Sequence, residues 1–166
     1  MDGPLRNLLG ICGLYCGDCP NYLAPRQGDT ATLEALAAER GVSPAEQSCD
    51  GCLSGQAAGE CRACAHGFRD CAREHEVAWC LECAEFPCAR LEEFRHVHVQ
   101  NGMSHHAMVI EDLRSICSCG ARAWLARKAA ASSCPGCGRR RYWYDRTCPA
   151  CGRAAAPVLD EHPLGG

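Results

Sequence analysis

Apolar side chains recur at helical spacing in four separated stretches of the chain. In residues 30–40, TATLEALAAER, Leu33, Leu36 and Ala37 share one face. Asp29 or Thr30 is placed to cap the start of that helix, and Gly41 ends it. In residues 88–97, CARLEEFRHV, Leu91 and Phe94 fall on the inward side. Over 104–116, Met108, Val109, Leu113 and Ile116 line one face. Over 120–131, Trp124 and Leu125 are the buried positions of a helix otherwise rich in Ala, Arg and Lys, which are good helix formers. Between these stretches the pattern breaks. Residues 1–29 read as a turn-rich knuckle followed by a loop, punctuated by Gly13, Gly17, Pro20, Pro25 and Gly28. Residues 49–88 hold eight cysteines and few large apolar side chains, with short helical turns expected after Cys64 and after Pro87.

Aromatic residues are scarce: three Trp, four Tyr and three Phe in 166 residues. A core built from them is modest, so another source of order is needed. Cysteine supplies it. Seventeen residues are cysteine, a density that marks either a disulfide scaffold or a metal protein. The count is odd, no secretory leader is visible, and C-x-x-C spacing dominates, all of which favour metal. A reduced, cytoplasmic setting is expected. No apolar run approaches the roughly 18 residues that span a bilayer, so no membrane partner is expected.

Two intervening residues let a tight turn aim both sulfurs of a C-x-x-C at one ion about 2.3 Å away. Such pairs occur at Cys16/Cys19, Cys49/Cys52, Cys61/Cys64, Cys80/Cys83, Cys134/Cys137 and Cys148/Cys151. The C-terminal two read CPGC and CPAC, ten residues apart and each followed by glycine, the pattern of a zinc ribbon. Gly138 and Gly152 supply the backbone freedom that the turn requires. Four soft thiolates suit zinc, and a closed site implies a structural ion.

The N-terminal cysteines leave the connectivity open. Cys49/Cys52 and Cys61/Cys64 are close enough to share an ion, or each pair joins more distant thiols. Cys12, Cys16, Cys19, Cys71, Cys80, Cys83 and Cys88 then remain, one short of two four-ligand sites. His75 is the nearest histidine able to fill the eighth place, although an exposed loop histidine is its ordinary reading. His96, His98, His105 and His106 have no C-x-x-C company and are expected at the surface or on helices. Cys12, Cys16 and Cys19 also spell C-x-x-x-C-x-x-C, a spacing that holds an iron–sulfur cluster with an open iron in radical enzymes. The chain lacks the length and the strand–helix alternation of their barrels. Cys117 and Cys119 are spare thiols in this reading, or a ligand pair for an adventitious ion.

Charge is divided along the chain. Residues 1–113 carry 8 basic and 17 acidic side chains, and residues 114–153 carry nine basic ones against Asp145 alone. The acidic part argues against nucleic acid bound by charge. In the basic part Arg139, Arg140, Arg141, Tyr142, Trp143 and Tyr144 offer cations for phosphate and rings for stacking on single-stranded nucleic acid. The alternative is that these rings pack the ribbon onto the Trp124 helix while the arginines are solvated.

The order and spacing of Cys12-Gly-Leu-Tyr-Cys-Gly-Asp-Cys, CDGC at Cys49–Cys52, CRAC at Cys61–Cys64, Cys71, and CLECAEFPC at Cys80–Cys88 resemble an uncharacterised prokaryotic cysteine-rich family, domain-of-unknown-function family 3795. Tyr15 and Phe86-Pro87 stand in place within that pattern. The resemblance covers about residues 10–95 and implies that these cysteines are metal ligands. It implies no reaction and no substrate.

The sequence therefore predicts a small α+β, metal-stabilised protein. Residues 1–97 form an irregular multi-zinc domain with short helices, 98–131 a helical connector, 132–153 the ribbon and 154–166 a flexible tail. About three zinc ions are expected at four ligands each. No H-E-x-x-H, G-x-S-x-G or phosphate-binding lysine loop is present. The expected function is non-catalytic zinc binding in service of a macromolecule, an unidentified protein before a nucleic acid. The alternative is an iron–sulfur or open-site zinc redox enzyme, or a metal or redox sensor, working through Cys12, Cys16 and Cys19.

Overall fold

In the computed structural model, residues 4–98 and 104–156 are described. They form eight α-helices: α1 Pro20–Gln27, α2 Thr30–Arg40, α3 Pro44–Gln47, α4 Gly59–Ala63, α5 Phe68–Glu74, α6 Ala89–Phe94, α7 Val109–Cys119 and α8 Ala121–Ser132. Three 3-10 turns, Pro4–Leu8, Cys16–Asp18 and Cys80–Glu82, accompany them. Among the described residues, β pairing is limited to three isolated bridges, Leu9 with Tyr15, Ser133 with Arg140 and Thr147 with Ala154. The chain is small and helix-rich, and the β part of the expected α+β architecture comes down to those bridges. No helix among the described residues is long and apolar enough to cross a membrane. Of the tail expected over 154–166, residues 157–166 lie outside the described part.

Helix α2 starts and stops where its sequence says. Asp29 accepts a bond from the Thr32 N–H at 3.1 Å, and Gly41 ends the helix in the left-handed conformation. Helix α1 departs from expectation, because its two prolines read as loop formers. Pro20 sits in the first turn, where a missing N–H costs nothing. Pro25 lies inside the helix and cannot donate to the carbonyl four residues back. That carbonyl, of Asn21, accepts instead from the Cys49 N–H at 3.0 Å. The proline thus frees an acceptor that ties helix α1 to the next knuckle.

Helices α7 and α8 organise the apolar interior. Val109, Ile110 and Leu113 of α7 pack with Ile11, Cys12, Phe68, Ala72, Leu91 and Phe94. Ile116 joins Leu9, Tyr15, Trp124 and Leu125 in a second cluster, where the Tyr15 and Trp124 rings meet edge to face at 5.5 Å. Met108 is only half-buried, because α7 starts at Val109 rather than at residue 104. The Trp124 indole donates to Asp112 at 2.8 Å, and Lys128 pairs with the other oxygen of Asp112 at 2.7 Å. Gly13 shows how closely the first knuckle sits on α7. A Cβ there would lie 2.6 Å from Leu113 Cγ and 2.7 Å from the Val109 carbonyl oxygen, and its φ is +89°.

Candidate metal centres

Residues 133–140 and 147–154 are two copies of one turn, offset by 14 positions. Each is closed by an isolated bridge, Ser133 to Arg140 and Thr147 to Ala154. Within the first, Cys134 N–H donates to Arg139 at 2.8 Å and Gly138 N–H to Cys134 at 2.8 Å. Within the second, Cys148 N–H donates to Arg153 at 2.9 Å and Gly152 N–H to Cys148 at 2.9 Å. Gly138 and Gly152 have φ of +76° and +71°, a conformation that L side chains avoid. The repeat SCPGCGR/TCPACGR carries this geometry in the sequence.

The two turns face each other through their sulfurs. Cys134 and Cys151 Sγ lie 3.6 Å apart, as do Cys137 and Cys148 Sγ. Tetrahedral thiolates at the zinc–sulfur distance stand about 3.8 Å apart, whereas a disulfide holds them at about 2.05 Å. The quartet therefore matches a metal site and not a pair of disulfides. Backbone N–H groups are aimed at the sulfurs, with Gly136 N–H 3.3 Å from Cys134 Sγ. Those of Gly136 and Cys137 pull the Cys134 thiol down to about 6, so a thiolate is available at neutral pH. Among the described residues this quartet is the one set of potential metal ligands whose atoms all lie within 4.8 Å of one another.

The other predicted cysteines gather more loosely. Cys12, Cys16, Cys19, Cys49, Cys52, Cys61 and Cys64 come together around the CDGC knuckle. Burial raises the Cys16 thiol, and the proximity of Cys52, Cys19 and Cys61 adds to it. Burial likewise pushes Cys19 up to about 12, next to Cys61 and Cys49. Cys61, near Cys49, Cys52 and Cys64, is pushed up to about 11. A thiol this reluctant to ionise becomes a ligand only when a cation offsets its burial. Gly51 N–H stands 3.3 Å from Cys49 Sγ, repeating the contact seen in the ribbon. Cys52 N–H donates to Asn7 at 3.0 Å and anchors the knuckle to the first 3-10 turn. The structure thus places Cys16 and Cys19 beside Cys49, Cys52 and Cys61, in keeping with the reading in which these pairs join more distant thiols. Cys71, Cys80, Cys83 and Cys88 line one small cavity, with His75 at its side, and Cys80 also neighbours Cys12. Cys117 and Cys119 are exposed at the end of α7, and Arg127 approaches Cys119 Sγ at 3.2 Å.

The ribbon docks on the N-terminal part through the strip that offers itself to nucleic acid in the sequence. Arg140 reaches the buried Asp18 and donates to the Tyr15 hydroxyl at 2.9 Å. Arg141 is buried and donates to the carbonyls of Ala156 at 2.7 Å, Asp145 at 3.2 Å and Ala131 at 3.3 Å. Tyr142 donates to Asp29 at 2.7 Å, and Trp143 stacks on His105. The Tyr144 hydroxyl lies 2.7 Å from His105 Nδ1.

Histidines are what sequence reading missed. His106 is 4% exposed and stacks on Phe94 with centroids 3.9 Å apart. The rings of His66, His98, His105 and His106 lie 4.0 to 6.0 Å from their neighbours in one cluster. Nothing in the local pattern announces this, because His66 comes from a distant cysteine knuckle.

A family model described as Protein of unknown function (DUF3795) matches residues 8–93, just over half of the chain. No curated protein matches the chain, and no solved structure does.

Proposed function

The chain belongs to the family of unknown function DUF3795, and from that premise we propose that it is a non-catalytic, multi-zinc protein whose metal-ordered surface binds a protein partner. The observation that carries this reading is the ribbon quartet. Its four sulfurs all lie within 4.8 Å of one another, two pairs of them at 3.6 Å, and four thiolates would leave a zinc ion no open position for substrate. Cys134, Cys137, Cys148 and Cys151 would hold the ion, which supplies folding free energy and no reaction step. Further ions among the N-terminal thiols, about three in all at four ligands each, extend the same role.

The choice of a protein over single-stranded nucleic acid rests on the strip 140–144. Arg140, Arg141, Tyr142, Trp143 and Tyr144 are engaged within the chain, which supports a packing role for them. An oligonucleotide would have to compete with those contacts. The test is elemental analysis of protein purified without oxygen, with an absorbance spectrum beside it. About three zinc per chain and no visible band are expected. Iron with sulfide and a broad visible band would instead put redox chemistry at Cys12, Cys16 and Cys19 first. Salt-sensitive oligonucleotide binding would move the partner from protein to nucleic acid.

A further inference from the structure

Resting on the zinc reading above but on other residues, we propose that Cys71, Cys80, Cys83 and Cys88 hold one zinc ion of their own, separate from the thiols around Cys52. Three elements converge to make the site. Helix α5 contributes Cys71 from its middle. The 3-10 turn Cys80–Glu82 contributes Cys80 and Cys83, closed by the Cys83 N–H to the Cys80 carbonyl at 3.2 Å. Cys88 sits at the N-cap of α6. The Cys16–Asp18 turn closes in the same way, Cys19 to Cys16 at 3.1 Å, so both are knuckles of one kind.

All four cysteines line one cavity of about 20 Å³. That is room for a single water or ion. Phe68, Ala72, Val77, Phe86 and Leu91 complete the walls. Water gains little in so apolar a site, whereas a soft divalent cation gains four sulfur ligands. Burial pushes the Cys80 thiol up to about 12, and the proximity of Cys88, Cys71 and Cys83, in that order, adds to it. Cys12 borders both sets, since its neighbours include Cys52, Cys80 and Cys64. Four thiols suffice for the ion, so exposed His75 at the rim is not needed as a ligand. Arg90 at the rim is turned away, donating to the His66 carbonyl at 2.9 Å. This partition leaves Cys12, Cys16, Cys19, Cys49, Cys52, Cys61 and Cys64 for the neighbourhood of the CDGC knuckle.

Binding converts four thiols to thiolates and releases four protons to solvent, with no change of oxidation state. The sulfurs stand wider apart than the ribbon quartet, so the site contracts on loading.

The test is an alkylation footprint of the zinc-loaded full chain, read residue by residue by mass spectrometry during stepwise chelation. N-ethylmaleimide labels exposed Cys117 and Cys119 at once and serves as its own control. Cys71, Cys80, Cys83 and Cys88 are expected to stay protected, then to become reactive together as one ion leaves. Labelling of these four at the rate of Cys117 would overturn the proposal. So would their release in the same step as Cys16, Cys19, Cys49, Cys52, Cys61 and Cys64. Free labelling of Cys134, Cys137, Cys148 and Cys151 would instead sink the ribbon reading and leave this one standing. Cys80→Ser is expected to lower the zinc count by one in native mass spectrometry while the ribbon thiols stay protected. An unchanged count rejects the site, and if the variant does not fold, the wild-type footprint decides.

Discussion

The imidazole of His105 lies flat on the indole of Trp143, with centroids 4.0 Å apart and planes 9° from parallel. Through this contact the ribbon is joined to the segment that precedes α7, and His106 beside it carries the contact on to Phe94. Both imidazoles pay for burial by staying neutral. Burial holds His105 down to about 3 and His106 down to about 2.

Acid should therefore loosen this junction. An unfolded histidine takes up a proton near pH 6.5, whereas these two resist it in the folded chain. Stability is fully present above about pH 6.5 and falls as pH drops toward 3. The loss is at most about 1.4 kcal/mol per pH unit for each ring. Urea denaturation followed by tryptophan fluorescence at pH 7.5 and 5.5 measures it. His106→Phe removes one titrating ring and leaves the Val97 carbonyl bonded to the Ser104 hydroxyl at 2.7 Å. Its loss between the two pH values should be smaller than that of the wild type. An equal loss would mean that His106 contributes nothing to the pH dependence.

Arg140 should matter for stability more than a surface arginine does. It is the partner of Asp18, which is 3% exposed and whose carboxyl burial raises above its usual range. Arg140→Met leaves that carboxyl unpaired and should cost about 3 kcal/mol in chemical denaturation. Adding Asp18→Asn should recover part of the loss, because the uncompensated charge goes with it. Strict additivity of the two substitutions would mean that the pair is not coupled.

Gly13→Ala should be destabilising by about 2–4 kcal/mol. The methyl meets Leu113 and the Val109 carbonyl, and an L residue is strained at φ of +89°. Gly28→Ala is the control, since a Cβ there meets nothing within 4 Å and only the left-handed strain remains. Equal melting temperatures for the two variants would show that the first knuckle is not pressed against α7.

Chelation should melt the protein unevenly. Helices α7 and α8 rest on apolar clusters, whereas α4 buries no residue and the ribbon is held by its sulfurs. Hydrogen exchange after metal removal should show amides of residues 59–64 and 134–152 deprotected before those of α7. Simultaneous exposure of all of them would mean that metal binding and the apolar core are one cooperative unit.

Much of this molecule is legible locally. The 3.6-residue period of 30–40, the Asp29 cap and Gly41 place α2 to the residue, because each acts within one turn of backbone. The C-x-x-C-G repeat places the ribbon quartet for the same reason: two intervening residues and a left-handed glycine dictate where both sulfurs point. Leu91, Phe94, Leu113 and Trp124 are inward as their spacing requires. What depends on groups far apart in the chain is set only by the tertiary structure. Pro25 is tolerated inside α1 because the Cys49 N–H takes the carbonyl it abandons. Cys16 and Cys19 neighbour Cys52 and Cys61 because the knuckles stack, and spacing along the chain carries no information about that. The histidine cluster and the Arg140–Asp18 pair join residues separated by tens to more than a hundred positions. Sequence alone determined which turns can grip a metal and which faces must be buried. Only packing decided which turns meet, since that choice is settled by burial and electrostatics between elements rather than by the geometry of any one of them.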